Sequence, residues 1–423
     1  MNLLVLSAWF PFPADNGSKI RTQHLLRALA KTHTVDLASF YQCQRELAAL
    51  KEAQEICHDV SAFPKPPFDA DRLPSLTDLF SPLPRFVRTT FSPPLAQKVK
   101  EWRCERRYDA IVCMTWGMVP YAEPLTSSEL LPRNPESATP RPAKSVLDQH
   151  NIESGIFRRG LRLKRGMGRL RGWLTYRKFR RFEGRTCASF SACSVVSEEE
   201  REELHKILPR AAKVNIATIP NGVDTAWLKP CWRRFSQGPR PRRDLLFTGS
   251  LSYGANVDGL RWFLQKVYPR LKASFPDLTL RVSGDPLPEA LPEAKDDPSV
   301  IFTGYLPDLR PLLWESAALV VPLRLGGGTR LKILEAMAAG LPVISTRAGA
   351  EGIEAQPVQH LLIAQEPEEF VTAAGRVFNQ PLRTFAMAAR ARKLVEERYD
   401  WASIGRAFNR LVEETLNEKP ACD

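Results

Sequence analysis

Residues 325–353 read LGGGTRLKILEAMAAGLPVISTRAGAEGI, and this stretch limits what the chain can fold into more than any other. Three consecutive glycines exclude a regular element over 326–328. Thr329 is a fitting N-cap, and 330–339 is a run of strong helix formers. Gly340 and Pro342 then stop the helix, and the β-prone 343–346 follows. A glycine-rich loop, a short helix, a Gly-x-Pro turn and a strand make one repeat of an α/β fold. The opening of such a helix presents unpaired N–H groups and partial positive charge, and glycines allow a phosphate close to the backbone. Arg330 and Lys332 add full positive charge where a helix disfavours cations unless an anion is also present. Glu335 follows about one and a half turns after Arg330 and can accept two hydroxyl hydrogen bonds, such as those of a ribose. A surface helix behind a flexible loop is the plainer alternative. The combination of loop, basic pair, acid and AMAAGLPV favours an anionic ligand.

The remainder repeats the α/β theme. An uninterrupted apolar strand at 2–7 meets a loop, PFPADNGSKIR, then a helix with Ile20, Leu25, Leu26 and Leu29 on one stripe, then a strand at 34–40. Gly17 stands where the first strand hands over to the first helix, the position at which open α/β sheets bind ligands, although a plain turn accounts for it equally well. Proline is dense over 63–94, so long regular elements are not expected there. Short strands follow at 108–113 and 145–151, the latter ending on His150 beside Asp148, which either orients the ring or caps the next turn. A Pro- and Arg-rich stretch at 230–243 reads as a linker. Beyond it, strands at 244–251, 278–283, 300–303, 318–322 and 343–346 alternate with helices, which requires a parallel sheet covered on both faces. A final helix spans 401–416.

The 325–353 segment resembles the C-terminal signature of retaining GT-B glycosyltransferases of family 4, in the subgroup associated with exopolysaccharides and cell-surface glycans. That pattern has a Glu, seven residues, a second Glu and an Ala-rich turn ending in Gly-x-Pro-Val. Glu335 matches the second Glu, which in the family holds the nucleotide ribose, while Gly327 stands where the first would be. Pro220 to Asp224, PNGVD, matches the family's domain junction. The resemblance implies an α/β fold of two Rossmann-like doubly wound parallel-sheet domains facing across a cleft. Residues 1–225 would form the acceptor-side domain and 226–398 the nucleotide-sugar-binding domain, with 399–423 crossing back to the first. His150 resembles the His that ends an N-domain strand and contacts the donor sugar. Most members carry an Arg and a Lys just after the first strand of the second domain. Here Ser250 and Asn256 stand near those positions, so Arg330 and Lys332 are expected to supply the missing charge. The resemblance thus implies catalytic roles for His150, Arg330 and Lys332. It implies nucleotide-sugar contacts from Gly17, Gly249, Gly327, Gly328, Thr329, Arg330, Lys332, Leu334 and Glu335. No metal and no cofactor beyond the nucleotide diphosphate-sugar donor is expected, and the other substrate is a glycan or lipid-linked acceptor.

Charge narrows the partners. The net +13 points to something anionic, and the densest positive stretch runs from Arg158 to Arg185, with twelve Arg and Lys against the single acid Glu183. Phe157, Trp173, Phe179 and Phe182 are interleaved, and Gly166 and Gly168 split the stretch into two helices. A basic helix with aromatics suits an anionic inner membrane surface or nucleic acid, with a solvated helix as the plain alternative. The resemblance, which implies lipid-linked acceptors, favours the membrane, each base near an acidic leaflet contributing about 1 kcal/mol. No apolar run is long enough to span a bilayer, the first residues read as a strand, and the eight scattered cysteines lack metal spacing. These features lead to the expectation of a cytoplasmic enzyme, peripheral on the inner face of the membrane. The other readings are a sugar-nucleotide epimerase, a catalytically silent membrane- or glycan-binding module, and a dinucleotide oxidoreductase, the last weakened by the absence of G-x-G-x-x-G.

Overall fold

The computed structural model describes residues 1–68, 84–122, 144–161, 166–232, 243–285, 297–324 and 330–417. The chain divides into two compact units, Met1–Pro220 with Ile404–Asp423, and Asn221–Ser403.

Among the described residues the first unit carries a seven-stranded sheet. Its strands are β1 (Asn2–Ser7), β2 (Thr34–Tyr41), β3 (Asp59–Pro64), β4 (Ala110–Met114), β5 (Lys144–Asp148), β6 (Ala192–Val195) and β7 (Asn215–Thr218). They lie in the order β3-β2-β1-β4-β5-β6-β7, every pair parallel. β1 is central, with Val5 opposite Leu37 on one side and Val112 on the other. The order reverses direction beside β1, which is why the apolar run at 3–6 is buried on both faces.

The second unit has a six-stranded parallel sheet among the described residues: β8 (Asp244–Thr248), β9 (Thr279–Ser283), β10 (Val300–Gly304), β11 (Ala318–Val321), β12 (Val343–Ser345) and β13 (Leu362–Ile363), ordered β10-β9-β8-β11-β12-β13. Alternate side chains go to opposite faces. Leu245, Phe247, Val320 and Ile344 pack with Phe263, Val267 and Phe370, whereas Leu246, Leu319, Val321 and Val343 pack with Ile333, Leu334 and Val395. Both units are therefore the doubly wound α/β layers that the strand–helix alternation requires.

The proline-rich region holds more structure than its composition suggests. Pro64 is the last residue of the edge strand β3, where its missing donor is tolerated. Pro93 and Pro94 open a helix over Pro93–Glu105 at the positions whose N–H groups would be unpaired anyway. Residues 69–83, and with them much of the expected irregular stretch, lie outside the described residues, as do 233–242 of the expected linker. The basic segment forms two helices, Glu153–Gly160 and Gly166–Ser189, close to the division expected at Gly166 and Gly168.

Candidate active site

In the second unit the chemistry gathers at the carboxyl ends of β8 and β9. The helix after the glycine-rich loop runs Leu331–Ala338, with Arg330 at the N-cap position in extended conformation and no side-chain cap bond. Arg330, not Thr329, is thus the residue at which the helix begins. Gly327, Gly328 and Thr329 lie outside the described residues. Among the described residues no carbonyl accepts from the Leu331 and Lys332 amides; the first helical bonds are Ile333 and Leu334 N–H to the Arg330 carbonyl. Among the described residues, then, two amides at the helix opening have no acceptor.

Lys332 turns inward from that opening. Its Nζ donates to Asn256 Oδ1 at 3.0 Å, and Asn256 Nδ2 donates to the Ser250 carbonyl at 2.8 Å. The ammonium also lies 4.9 Å from the centre of the Phe247 ring. A Cβ on Gly249 would sit 2.5 Å from Nζ and 2.8 Å from Asn256 Nδ2, and Gly249 has φ +139°. Only glycine combines that backbone conformation with that clearance. Burial, then the neighbouring Arg330, lowers the Lys332 amine to about 7, with Glu335 opposing the shift. Burial likewise raises the Glu335 carboxyl above its ordinary value, against the pull of Lys332. Both residues as a whole are half-buried. Among the described residues nothing donates a hydrogen bond to Glu335. A cation and a carboxylate are held beside an open helix N-terminus, with capacity for an anion and for hydroxyl groups. Leu334, expected at the donor, is fully buried in the core, so its side chain is committed to packing.

In the first unit Gly17 opens the Gly17–Ala30 helix and is exposed. Its neighbours serve the fold. Asn16 caps the helix by accepting from Lys19 N–H at 3.1 Å, and Asp15 pairs with the buried Lys19 ammonium at 2.8 Å, which also reaches Glu46 at 2.7 Å. His150 follows β5 and is 9% exposed, with Nε2 3.2 Å from Asp148 Oδ2. That approach is close in distance but lies off the hydrogen-bond angle, so neither ring nitrogen completes a hydrogen bond. The expected orienting role of Asp148 thus has the distance it needs. Asp148 is in turn gripped by Arg21, at 2.8 and 2.6 Å, and by the Ser194 hydroxyl at 2.6 Å. The helix beginning three residues after His150 is closed by Glu183, which accepts from the Glu153 and Ser154 amides at 2.9 and 3.1 Å.

Sequence reasoning overlooked Arg21 and Ser194. Arg21 sits in a helix with other charged residues and pairs across 127 positions, so no local pattern marks it. In sequence Asn256 stands out only as a neutral residue where a cation is expected. In the basic segment Phe179 and Phe182 are buried around Trp116, while Ile156, Phe157, Trp173 and Leu174 are exposed and Arg177 stacks 4.7 Å from the Trp173 ring. No helix among the described residues is long and apolar enough to cross a membrane.

Residues 15–227 match the model described as "Glycosyltransferase Family 4", and 242–380 match "Glycosyl transferases group 1". A Klebsiella pneumoniae protein described as "Uncharacterized 44.6 kDa protein in cps region" is 22% identical over 411 residues, spanning 94% of this chain and 96% of that protein. Sucrose-phosphate synthase from Thermosynechococcus elongatus superposes with a TM-score of 0.67 at 17% identity, covering 98% of this chain and 99% of that one. Anabaena HepE in complex with UDP and glucose gives the same score and identity over 98% and 100%. At these identities the two superpositions show a common fold, that of GT-B glycosyltransferases.

Proposed function

The chain belongs to glycosyltransferase family 4, and from that premise we propose that it moves a hexose from a nucleoside diphosphate-sugar, with retention and without a metal ion, to a glycan or lipid-linked acceptor in cell-surface polysaccharide or glycolipid synthesis. The observation that carries this reading is the Lys332 ammonium lodged beside Gly249 at the end of β8, next to a helix opening with two amides that no described carbonyl engages. Lys332 stands where the turn after β8 and the start of the next helix offer Ser250 and Asn256 but no cation, so a cation from another element fills the gap. In this account the Leu331 and Lys332 amides, Arg330 and Lys332 hold the diphosphate. Offsetting the leaving group's charge from fixed donors is what a bound metal would otherwise do. Glu335 accepts the ribose hydroxyls, and His150 faces the transferred sugar. The acceptor hydroxyl attacks the anomeric carbon on the face the diphosphate leaves, and a leaving phosphate oxygen takes its proton. The complexes of HepE with UDP and with UDP-glucose support a donor of this class.

The exposed Ile156, Phe157, Trp173 and Leu174 beside and within the basic segment 158–185 support docking on an anionic inner membrane face, and the relative described as lying in a cps region supports the polysaccharide role. The test is a transfer assay over a panel of nucleotide-sugars with phospholipid-linked saccharides as acceptors, run with and without EDTA. Retained anomeric configuration and EDTA-insensitive transfer are expected. Inverted product or strict metal dependence contradicts the mechanism, and interconversion of sugar-nucleotides without acceptor would make the protein an epimerase.

A further inference from the structure

Asp148 closes β5 with no solvent exposure. Arg21 Nε donates to Oδ2 at 2.8 Å, Arg21 Nη2 to Oδ1 at 2.6 Å, and the Ser194 hydroxyl to Oδ1 at 2.6 Å. Arg21 Nη1 donates to the Pro220 carbonyl at 3.1 Å, so one guanidinium joins the first helix, β5 and the end of the unit's first segment. Burial alone would raise the Asp148 carboxyl. The Arg21 charge beside it, with the Arg21 hydrogen bonds and the close His150 ring, outweighs burial and holds it well below the usual carboxylate range. Asp148 is therefore an anion that accepts and cannot donate. His150 Nε2 lies 3.2 Å from its Oδ2. A neutral imidazole with a bare lone pair on Nε2 would set that pair against the carboxylate, whereas a proton on Nε2 turns repulsion into attraction.

We propose that the Arg21–Asp148 pair is a positioning device that fixes neutral His150 as the Nε2–H tautomer, leaving Nδ1 to accept a hydrogen bond from a ligand hydroxyl. Nδ1 is buried and takes no hydrogen bond from the described residues, so its lone pair is uncommitted. The group His150 reads is then a sugar hydroxyl, and a carboxylate in that place, as on a uronic acid, is rejected because acceptor would meet acceptor. The off-angle approach to Asp148 tightens when the ligand fixes the ring. This inference rests on the reading that His150 faces the donor sugar.

The experiment uses the full chain labelled with ¹⁵N-histidine, the His150 resonances being identified by their loss in His150→Gln. Two-bond proton–nitrogen correlations at a pH where the ring is neutral should show Nε2–H. An Nδ1–H ring in the unaltered protein overturns the proposal. Asp148→Asn offers an amide N–H to Nε2 and should convert the ring to Nδ1–H, with kcat falling about a hundredfold or more while the donor KM changes little. A folded Asp148→Asn protein with the tautomer and kcat unchanged also overturns it. Should that variant not fold, the correlation in the unaltered protein decides alone. Undiminished turnover by His150→Gln, with Nε2–H still observed before substitution, would remove the donor-sugar reading and leave the Arg21–Asp148 device standing.

Discussion

At the scale of single residues, Lys332 and Glu335 carry the donor account, and each has a direct consequence. On the proposed ribose role, Glu335→Ala removes an acceptor of two hydroxyls; at about 1.5–3 kcal/mol, donor affinity should drop roughly tenfold to a hundredfold by calorimetry, with the ligand-free melting temperature little changed. Unaltered affinity would discard the ribose assignment. Lys332 adds a pH dependence whose sign is fixed. Its amine titrates near 7 in the free protein, and a bound diphosphate raises that value. Nucleoside diphosphate affinity should therefore be highest below pH 7 and decline above it, with proton uptake on binding at pH 8, and Lys332→Met should abolish both. Stability runs the other way. Because the folded amine lies below its ordinary 10.5, burying the ammonium costs the fold below about pH 7, and that cost is lifted as pH rises from 7 toward 10.5. Ligand-free Lys332→Met should thus melt higher than the unaltered protein near pH 6 and lose that advantage at pH 10. Arg330, Lys332 and Glu335 were legible in sequence because all three belong to one local pattern. Arg21 and Asn256 were not, since their roles arise from partners far along the chain.

At the scale of elements, the site depends on how closely two turns approach the helix opening. Gly249→Ala would bring a methyl group against the Lys332 ammonium and the Asn256 amide from a backbone conformation that L side chains rarely adopt. Lys332 can shift, so the variant should fold with a melting temperature lower by several degrees, corresponding to about 1–3 kcal/mol, and with weakened donor binding. Gly284, with φ +148°, is less forgiving because its Cβ would meet the Gly249 carbonyl oxygen, which is backbone. Gly284→Ala should fail to yield a folded second unit, measured by limited proteolysis. If Gly249→Ala proves as damaging as Gly284→Ala, the side-chain explanation for Gly249 is wrong. Apolar strands and Gly-Pro stops were readable because a parallel sheet demands continuous hydrophobic runs, as over 3–6 and 318–321. β3 and the Pro93–Glu105 helix were hidden because prolines at an edge-strand terminus and in a first helical turn look the same in sequence as prolines that break structure.

At the scale of the whole molecule, a net charge of +13 concentrated partly in 158–185 makes association with acidic surfaces salt-dependent. The protein should co-sediment with vesicles containing phosphatidylglycerol at low ionic strength and detach largely near 0.5 M salt. The double substitution Trp173→Ser and Leu174→Ser should weaken binding at every salt concentration, because it removes the apolar part of the contact and leaves the charge. Equal binding to neutral vesicles would argue against an electrostatic component. The two sheets and the family followed from sequence pattern, whereas pairings such as Arg21 with Asp148 and Lys332 with Asn256 arise only in the folded chain. The most direct test of the central claim is thermal shift of the unaltered protein and of Glu335→Ala across a panel of nucleoside diphosphate-sugars. The account predicts that at least one donor raises the melting temperature of the unaltered protein and that the same donor loses most of that effect with Glu335→Ala. Equal stabilisation of both proteins, or of neither by any donor, would contradict it.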